Sequence, residues 1–126
     1  MRKTIYLCFF IILVLGGCNN DTRTILREHE SSISPKGGSI NIEGNYNFYL
    51  NEIIEIVESK EIIHEIPAGK ELNYLGEWYS ISIDKEKRLL SITIKGNESQ
   101  SERKLLISVH IIGNLFDNYS VYQKNL

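Results

Sequence analysis

Alanine, the strongest helix former, occurs once in this sequence, at Ala68, whereas the β-branched residue isoleucine occurs twenty times. Because isoleucine packs well on a pleated sheet and loses side-chain freedom in a helix, this imbalance predicts an all-β protein. The chain of 126 residues is long enough for one domain and too short for separate cofactor and substrate domains. Its hydrophobic fraction of 42% excludes a disordered protein.

The sequence also has no excess of positive charge. Lysine and arginine number 14 against 16 aspartate and glutamate residues, which gives a formal net charge of -2. Proteins that bind nucleic acid usually carry a clustered basic surface. We therefore expect no nucleic-acid partner.

Cysteine occurs only at positions 8 and 18, close to the amino terminus. Arg2 and Lys3 precede an apolar run over residues 5–15, which ends in Leu15-Gly16-Gly17-Cys18. A run of this length is too short to span a bilayer as a helix, which takes about 20 residues. It is typical of the apolar region of a secretory signal.

The end of this run resembles the lipobox of bacterial lipoproteins: a leucine, two small residues and a cysteine. The resemblance implies a signal peptide over residues 1–17, diacylglycerol on Cys18, and acylation of the new amino terminus, with palmitate as the expected acyl group. The membrane is then a partner through this lipid, and we expect a place in the bacterial cell envelope, at the outer membrane, facing periplasm or cell surface. An ordinary signal peptide followed by a chance cysteine is the alternative. Because Cys8 leaves with the signal, we expect a mature domain without a disulfide.

Residues 18–32 are mostly polar and are predicted to be a tether, so that the folded domain covers residues 33–126. Apolar and polar residues alternate along this part, with turn residues between the alternating segments. Strands are predicted at residues 39–43, 46–50, 53–57, 62–66, 78–83, 90–94, 105–111 and 119–122. This pattern predicts an immunoglobulin-like β-sandwich of seven or eight short strands. A short helix is the alternative around Glu52, Glu55 and Glu58, which recur every three residues.

Between residues 33 and 123 the sequence has Gly37-Gly38 before a strand, Trp78 at the start of an alternating segment, Asn97 after a strand, Arg103 at the start of the next strand, and a closing Gln123. In this order of features it resembles the BACON domain, an immunoglobulin-like module of exported proteins from Bacteroidetes. Phe48 stands where the family usually has tryptophan, and the stretch from Phe48 to Trp78 is longer than usual. The resemblance implies binding of carbohydrate or mucin, without an agreed set of binding residues.

A carbohydrate site would use aromatic rings, because the C–H faces of sugars stack on tryptophan and tyrosine. Tyr79 shares a face with Ile81 and Ile83, which predicts a core position, whereas Trp78 alternates outward. Tyr74, in the predicted loop before it, and Trp78 are therefore the candidate ligand-binding residues. Packing of Trp78 against the sandwich is the alternative. The mature chain has 12 basic and 16 acidic residues, so neutral sugars are favoured over sulfated or sialylated ones.

We expect no enzyme, no cofactor and no metal site. No thiol remains in the mature chain, and neither a nucleophile elbow nor a glycine-rich phosphate loop is present. His29 falls in the predicted tether, and His64 and His110 are predicted on solvent-facing sides of strands. Eight glutamates and two lysines between residues 40 and 80 are interpreted as a solvated edge that resists aggregation, rather than as hydrolytic carboxylates or calcium ligands.

A non-catalytic spacer or protein-contact domain of an envelope assembly is the alternative function. An exposed aromatic pair on one face would favour carbohydrate binding. An exposed apolar patch or an open edge strand would favour protein contact.

Overall fold

A computed structural model describes residues 24–66, 71–111 and 115–126 of the protein. The predicted signal peptide and lipidation site at Cys18 lie outside the described residues. The described part contains nine strands: β1 Glu30–Ile33, β2 Gly38–Glu43, β3 Tyr49–Val57, β4 Lys60–Glu65, β5 Asn73–Leu75, β6 Tyr79–Asp84, β7 Leu89–Ile94, β8 Arg103–Ile111 and β9 Leu115–Gln123.

The strands form two sheets that pack face to face. The five-stranded sheet has the order β1-β9-β8-β3-β4, and the four-stranded sheet has the order β2-β7-β6-β5. The neighbours β9-β8-β3 and β2-β7-β6 correspond to strands G-F-C and B-E-D of immunoglobulin domains. The predicted all-β sandwich is thus confirmed, with nine described strands in place of seven or eight.

Alternation along the strands builds the core between the sheets, as the sequence predicts. Tyr79, Ile81 and Ile83 of β6 are buried, and so are inward side chains of β2, β3, β7, β8 and β9: Ile42, Leu50, Ile53, Leu90, Ile92, Ile94, Leu105, Ile107, Val109, Tyr119 and Val121. The helical alternative at residues 52–58 is wrong, because β3 pairs with β4 on one side and β8 on the other. Pairing on both sides satisfies backbone groups that a lone helical turn would leave open.

The predicted tether over residues 18–32 is wrong from Thr24 onward. Ile25 and Leu26 are fully buried, and the Leu26 N–H donates a 2.9 Å hydrogen bond to Oδ2 of Asp117. β1 then pairs in parallel with β9. The domain therefore includes residues 24–32, which sequence reasoning had placed outside it, because two apolar residues in a polar stretch give little periodic signal.

Two further strand predictions need correction. The predicted strand at residues 46–50 and the one at 53–57 are a single strand from Tyr49, with an irregularity in pairing between Leu50 and Glu52. β5 was missed altogether, because three residues are too few for a recognisable alternation. None of the described residues lies in a helix long and apolar enough to cross a membrane.

Candidate functional site

A groove of about 430 Å³ lies where the free edges of the two sheets meet. β4 is the last strand of the five-stranded sheet, and β5 is the last strand of the four-stranded sheet. The groove, called the edge groove below, is lined by Glu55, Ile62, His64, Tyr74, Leu75, Gly76 and Glu77. Because β5 has only three residues, it leaves part of the inner face of β4 uncovered.

Glu55 is the central polar group of the edge groove. It lies on β3 directly opposite Ile62 of β4, two residues from the buried Ile53 on the same face. Its side chain is only 12% exposed. The Tyr79 hydroxyl donates a 2.6 Å hydrogen bond to Oε2, and Nε2 of His64 lies 2.9 Å from the same oxygen. These two partners offset the cost of burying a carboxylate.

The surroundings of Tyr74, in the groove wall, and of Tyr79, behind it, raise the pKa of both phenols. Burial raises the pKa of Tyr79 well above its usual value, and the hydrogen bond to Glu55 and the negative charge of that residue raise it further. Burial also raises the pKa of Tyr74, with a smaller effect from the charge of Glu55. The Tyr79 hydroxyl therefore keeps the proton that it donates to Glu55, and the Tyr74 hydroxyl keeps its own, at neutral and mildly alkaline pH.

The ring of Tyr74 is fixed in the wall of the groove by its neighbours. It stacks on the ring of Tyr79, with centroids 6.1 Å apart and an interplanar angle of 19°. The imidazole of His64 lies 5.4 Å from it at 42°. Tyr74 lies on β5 and not in a loop, and this strand carries it into the same groove as Glu55 and His64.

Gly76 allows the tyrosines to pack in this way. A methyl group at this position would overlap the ring of Tyr79, so a larger residue would displace the ring from Glu55. The N–H of Gly76 also donates a 2.9 Å hydrogen bond to the carbonyl oxygen of Tyr79. The chain between β5 and β6 therefore requires a residue without a side chain here.

Trp78, the second candidate ligand residue, is half-buried and does not line the edge groove. Its ring meets Tyr79 edge-on, with centroids 4.9 Å apart, and the guanidinium of Arg103 lies 4.2 Å from its centroid. Arg103 in turn donates hydrogen bonds to Oε1 of Gln123 at 2.8 Å and to the carbonyl oxygen of Lys95 at 3.0 Å. These contacts favour the alternative interpretation, in which Trp78 packs against the sandwich. The alternation that predicted an outward-facing Trp78 does not apply, because Trp78 precedes the first residue of β6.

Sequence reasoning missed Glu55 and His64 as site residues. His64 is half-buried against Glu55 rather than on a solvent-facing side, and the interpretation of the glutamates as a solvated edge does not hold for Glu55. The sequence did carry a signal for Glu55, because alternate residues of a strand share a face and Glu55 shares its face with Ile53 and Val57.

The other two histidines also differ from expectation. Nε2 of His29 lies 3.1 Å from Oδ2 of Asp117, and His110 is half-buried and stacks on Phe116.

The arrangement suits binding. The edge groove offers a carboxylate, an imidazole, a phenol and two aliphatic side chains around one concave surface. In the part of the chain that the structure describes, no three His, Cys, Asp or Glu side chains are grouped so that they could hold a metal ion.

A larger, open depression of about 520 Å³ lies elsewhere, lined in part by Glu58, Ser101, Lys104 and Tyr122. Its polar groups contact one another: the Ser101 hydroxyl donates a 3.0 Å hydrogen bond to Glu58, and Nζ of Lys104 lies 4.9 Å from the ring of Tyr122. The edge groove has the better-buried polar group and is the stronger candidate.

No family model matches the chain, and no curated protein matches it in sequence. Among solved structures, it is similar to a protein from Bacteroides thetaiotaomicron determined by NMR, with 25% identity and a TM-score of 0.60 over 77% of this chain and 76% of that chain. It is also similar to part of a GH5 xyloglucanase from Bacteroides ovatus, solved in complex with a XXXG heptasaccharide, with 17% identity and a TM-score of 0.41. That match covers 78% of this chain and 17% of the xyloglucanase.

Proposed function

We propose that this protein is a lipoprotein of the bacterial cell envelope whose BACON-like sandwich binds carbohydrate in the edge groove. The carbohydrate carries no acidic groups, and neutral sugars are the first candidates. The domain acts by binding and not by catalysis. The observation that carries the proposal is the combination of a fixed tyrosine ring, Tyr74, with a nearly buried carboxylate, Glu55, in one groove.

The chemistry of this combination fits a sugar. The C–H groups of a sugar ring pack on Tyr74 and on the aliphatic side chains of Ile62 and Leu75. Its hydroxyl groups donate to the carboxylate of Glu55, which is an acceptor of strong hydrogen bonds. A single shallow site of this kind is expected to bind with a dissociation constant of roughly millimolar to micromolar.

Tyr74→Ala tests the proposal. We expect a glycan array to identify a ligand of the wild-type protein and calorimetry to show that Tyr74→Ala binds it at least about tenfold more weakly. Phe116→Ala is the matched control, because it removes an exposed ring on β9 outside the groove. Equal losses in both variants, or no glycan bound by the wild type, would argue against a carbohydrate site at this position.

Protein contact is a second candidate function, favoured by the exposed apolar residues on the two free edges. Ile62 and Ile63 on β4 are 52% and 53% exposed, and Leu75 on β5 is 80% exposed. Unpaired edges of this kind can add a strand from a partner. If this is the function, Ile62→Lys with Leu75→Lys should abolish crosslinking of the protein to envelope partners in cells.

The lipid anchor rests on the sequence around Cys18. Full-length protein should partition into detergent, and Cys18→Ala should block processing at the bond between Gly17 and Cys18. A mature protein that begins at another residue and partitions into water would refute the anchor without affecting the proposed groove.

A further inference from the structure

One oxygen of the Glu55 carboxylate is free within the edge groove. Tyr79 and His64 both contact Oε2. Oε1 accepts no hydrogen bond from any residue that the structure describes, and Glu55 lines the groove. A ligand in the groove can therefore reach an acceptor that carries part of a negative charge, on a side chain that is only 12% exposed. Such an acceptor favours a charged donor over a neutral one.

The rest of the groove reinforces the negative charge. Glu77 also lines it, and Glu71 is exposed next to β5. Among the described residues that line the groove, His64 is the only basic group, and it is already engaged with Glu55. The field of this part of the surface attracts cations and repels acidic ligands.

The remaining walls suit a cation of a particular kind. Tyr74 presents aromatic carbon, and Ile62 and Leu75 present aliphatic carbon, within the same groove as the carboxylates. A small inorganic cation gains little from such walls, whereas an organic ammonium group can meet the ring face with its charge and pack its attached carbons on the aliphatic side chains.

We infer that the edge groove binds a protonated primary amine, held by Oε1 of Glu55 and by Glu77. This inference rests on the proposed carbohydrate function and, among carbohydrates without acidic groups, favours sugars with an unacetylated, protonated amino group over neutral sugars. A lysine side chain of a protein offers the same chemistry, and the experiment below separates the two sources. N-acetylation removes the charge and adds bulk at the nitrogen, so the acetylated sugar should bind less well.

Calorimetry on the full-length protein in detergent tests the inference with three probes: an oligomer of glucosamine, the matching oligomer of N-acetylglucosamine, and a short peptide with one lysine between glycines. The buffer must keep the sugar amine protonated. We expect the glucosamine oligomer to bind about tenfold more tightly than its acetylated counterpart, with an affinity that falls as salt is added.

Two variants connect this preference to the groove. Glu55→Gln keeps an acceptor for Tyr79 and removes the charge, and it should lower the affinity for the glucosamine oligomer about tenfold. Glu52→Gln is the matched control, because Glu52 lies on the same strand but lines a different surface, with Ile54 and Leu106. If Glu55→Gln does not fold, Glu77→Gln removes the second, exposed carboxylate and should also weaken binding.

The outcomes distinguish this inference from the proposed function. Equal binding of the two sugar oligomers, or no effect of Glu55→Gln in a folded protein, overturns the amine preference and leaves carbohydrate binding in place. Binding of the lysine peptide without binding of either sugar overturns the amino-sugar assignment and makes a lysine side chain the ligand of the groove. Failure of all three probes overturns the amine site, whereas the carbohydrate function fails only if the glycan array also finds no ligand.

Discussion

The hydroxyl of Tyr79 donates a 2.6 Å hydrogen bond to Oε2 of Glu55, and this bond joins the two sheets of the sandwich. Tyr79 belongs to β6 of the four-stranded sheet, and Glu55 belongs to β3 of the five-stranded sheet. A carboxylate that points toward the inside of a sandwich is costly unless it is hydrogen-bonded. The bond therefore stabilises a carboxylate in the groove between the edge strands β4 and β5.

Removing the hydroxyl should destabilise the domain. Tyr79→Phe leaves the nearly buried Glu55 with one partner, and we expect the free energy of unfolding to fall by about 1–3 kcal/mol in urea titrations. Tyr122→Phe is the control, because it removes the hydroxyl of a tyrosine on β9 that is 39% exposed. Similar losses in the two variants would show that the bond contributes nothing beyond a surface hydroxyl.

Alkaline pH should weaken the fold through the same tyrosine. The pKa of Tyr79 is raised above the ordinary value of 10.0, so above that pH the unfolded chain releases a proton that the folded domain retains. The stability from this group is complete below the ordinary pKa and is lost as the pH rises toward the folded value. We expect the melting temperature to fall between about pH 9 and pH 11, and to fall less steeply in Tyr79→Phe. Parallel pH curves for the two proteins would contradict this linkage.

Arg103 should hold Trp78, the single tryptophan of the chain, in its half-buried position. Arg103→Ala removes the guanidinium over the ring and leaves Oε1 of Gln123 and the carbonyl of Lys95 without this donor. We expect a loss of about 1–3 kcal/mol in unfolding free energy and a shift of tryptophan fluorescence to longer wavelength.

Arg27→Ala provides the comparison for this experiment. Arg27 forms an exposed ion pair with Glu43 at 2.9 Å, and such pairs contribute about 0–1 kcal/mol. Unchanged fluorescence in Arg103→Ala, with a loss no larger than that of Arg27→Ala, would show that Arg103 does not hold Trp78 in place.

The sequence predicted the parts of the fold that depend on local alternation. The buried positions of β6, β7 and β8 follow from Ile, Leu and Val at every second residue, a signal that one strand carries by itself. β1 and β5 could not be found in this way, because they are short and are defined by the strands they pair with, β9 and β6.

The site was harder to predict because it depends on contacts between sheets. Tyr74 was nominated as a ligand-binding residue in a predicted loop, but it lies on β5, and its neighbours Glu55, His64 and Tyr79 come from three other strands. The alternation of residues predicts which face of its own strand each side chain lies on, but it does not predict which strands meet at an edge of the sandwich. Trp78 was also nominated from this alternation, which does not hold in the bend before β6 begins.

The amino-terminal segment provides the last prediction, because the sequence and the structure disagree about where the domain starts. A fragment of residues 24–126 retains the fully buried Ile25 and Leu26 and the pairing of β1 with β9, whereas a fragment of residues 33–126 lacks them. Burial of two such side chains contributes about 3–6 kcal/mol, which is comparable to the whole stability of many small domains. We expect the longer fragment to melt cooperatively and the shorter one to melt at a much lower temperature or not to fold. Leu26→Ala in the longer fragment should lose about 2–5 kcal/mol by the same mechanism. Equal melting temperatures for the two fragments would instead support the interpretation of residues 24–32 as part of a polar tether.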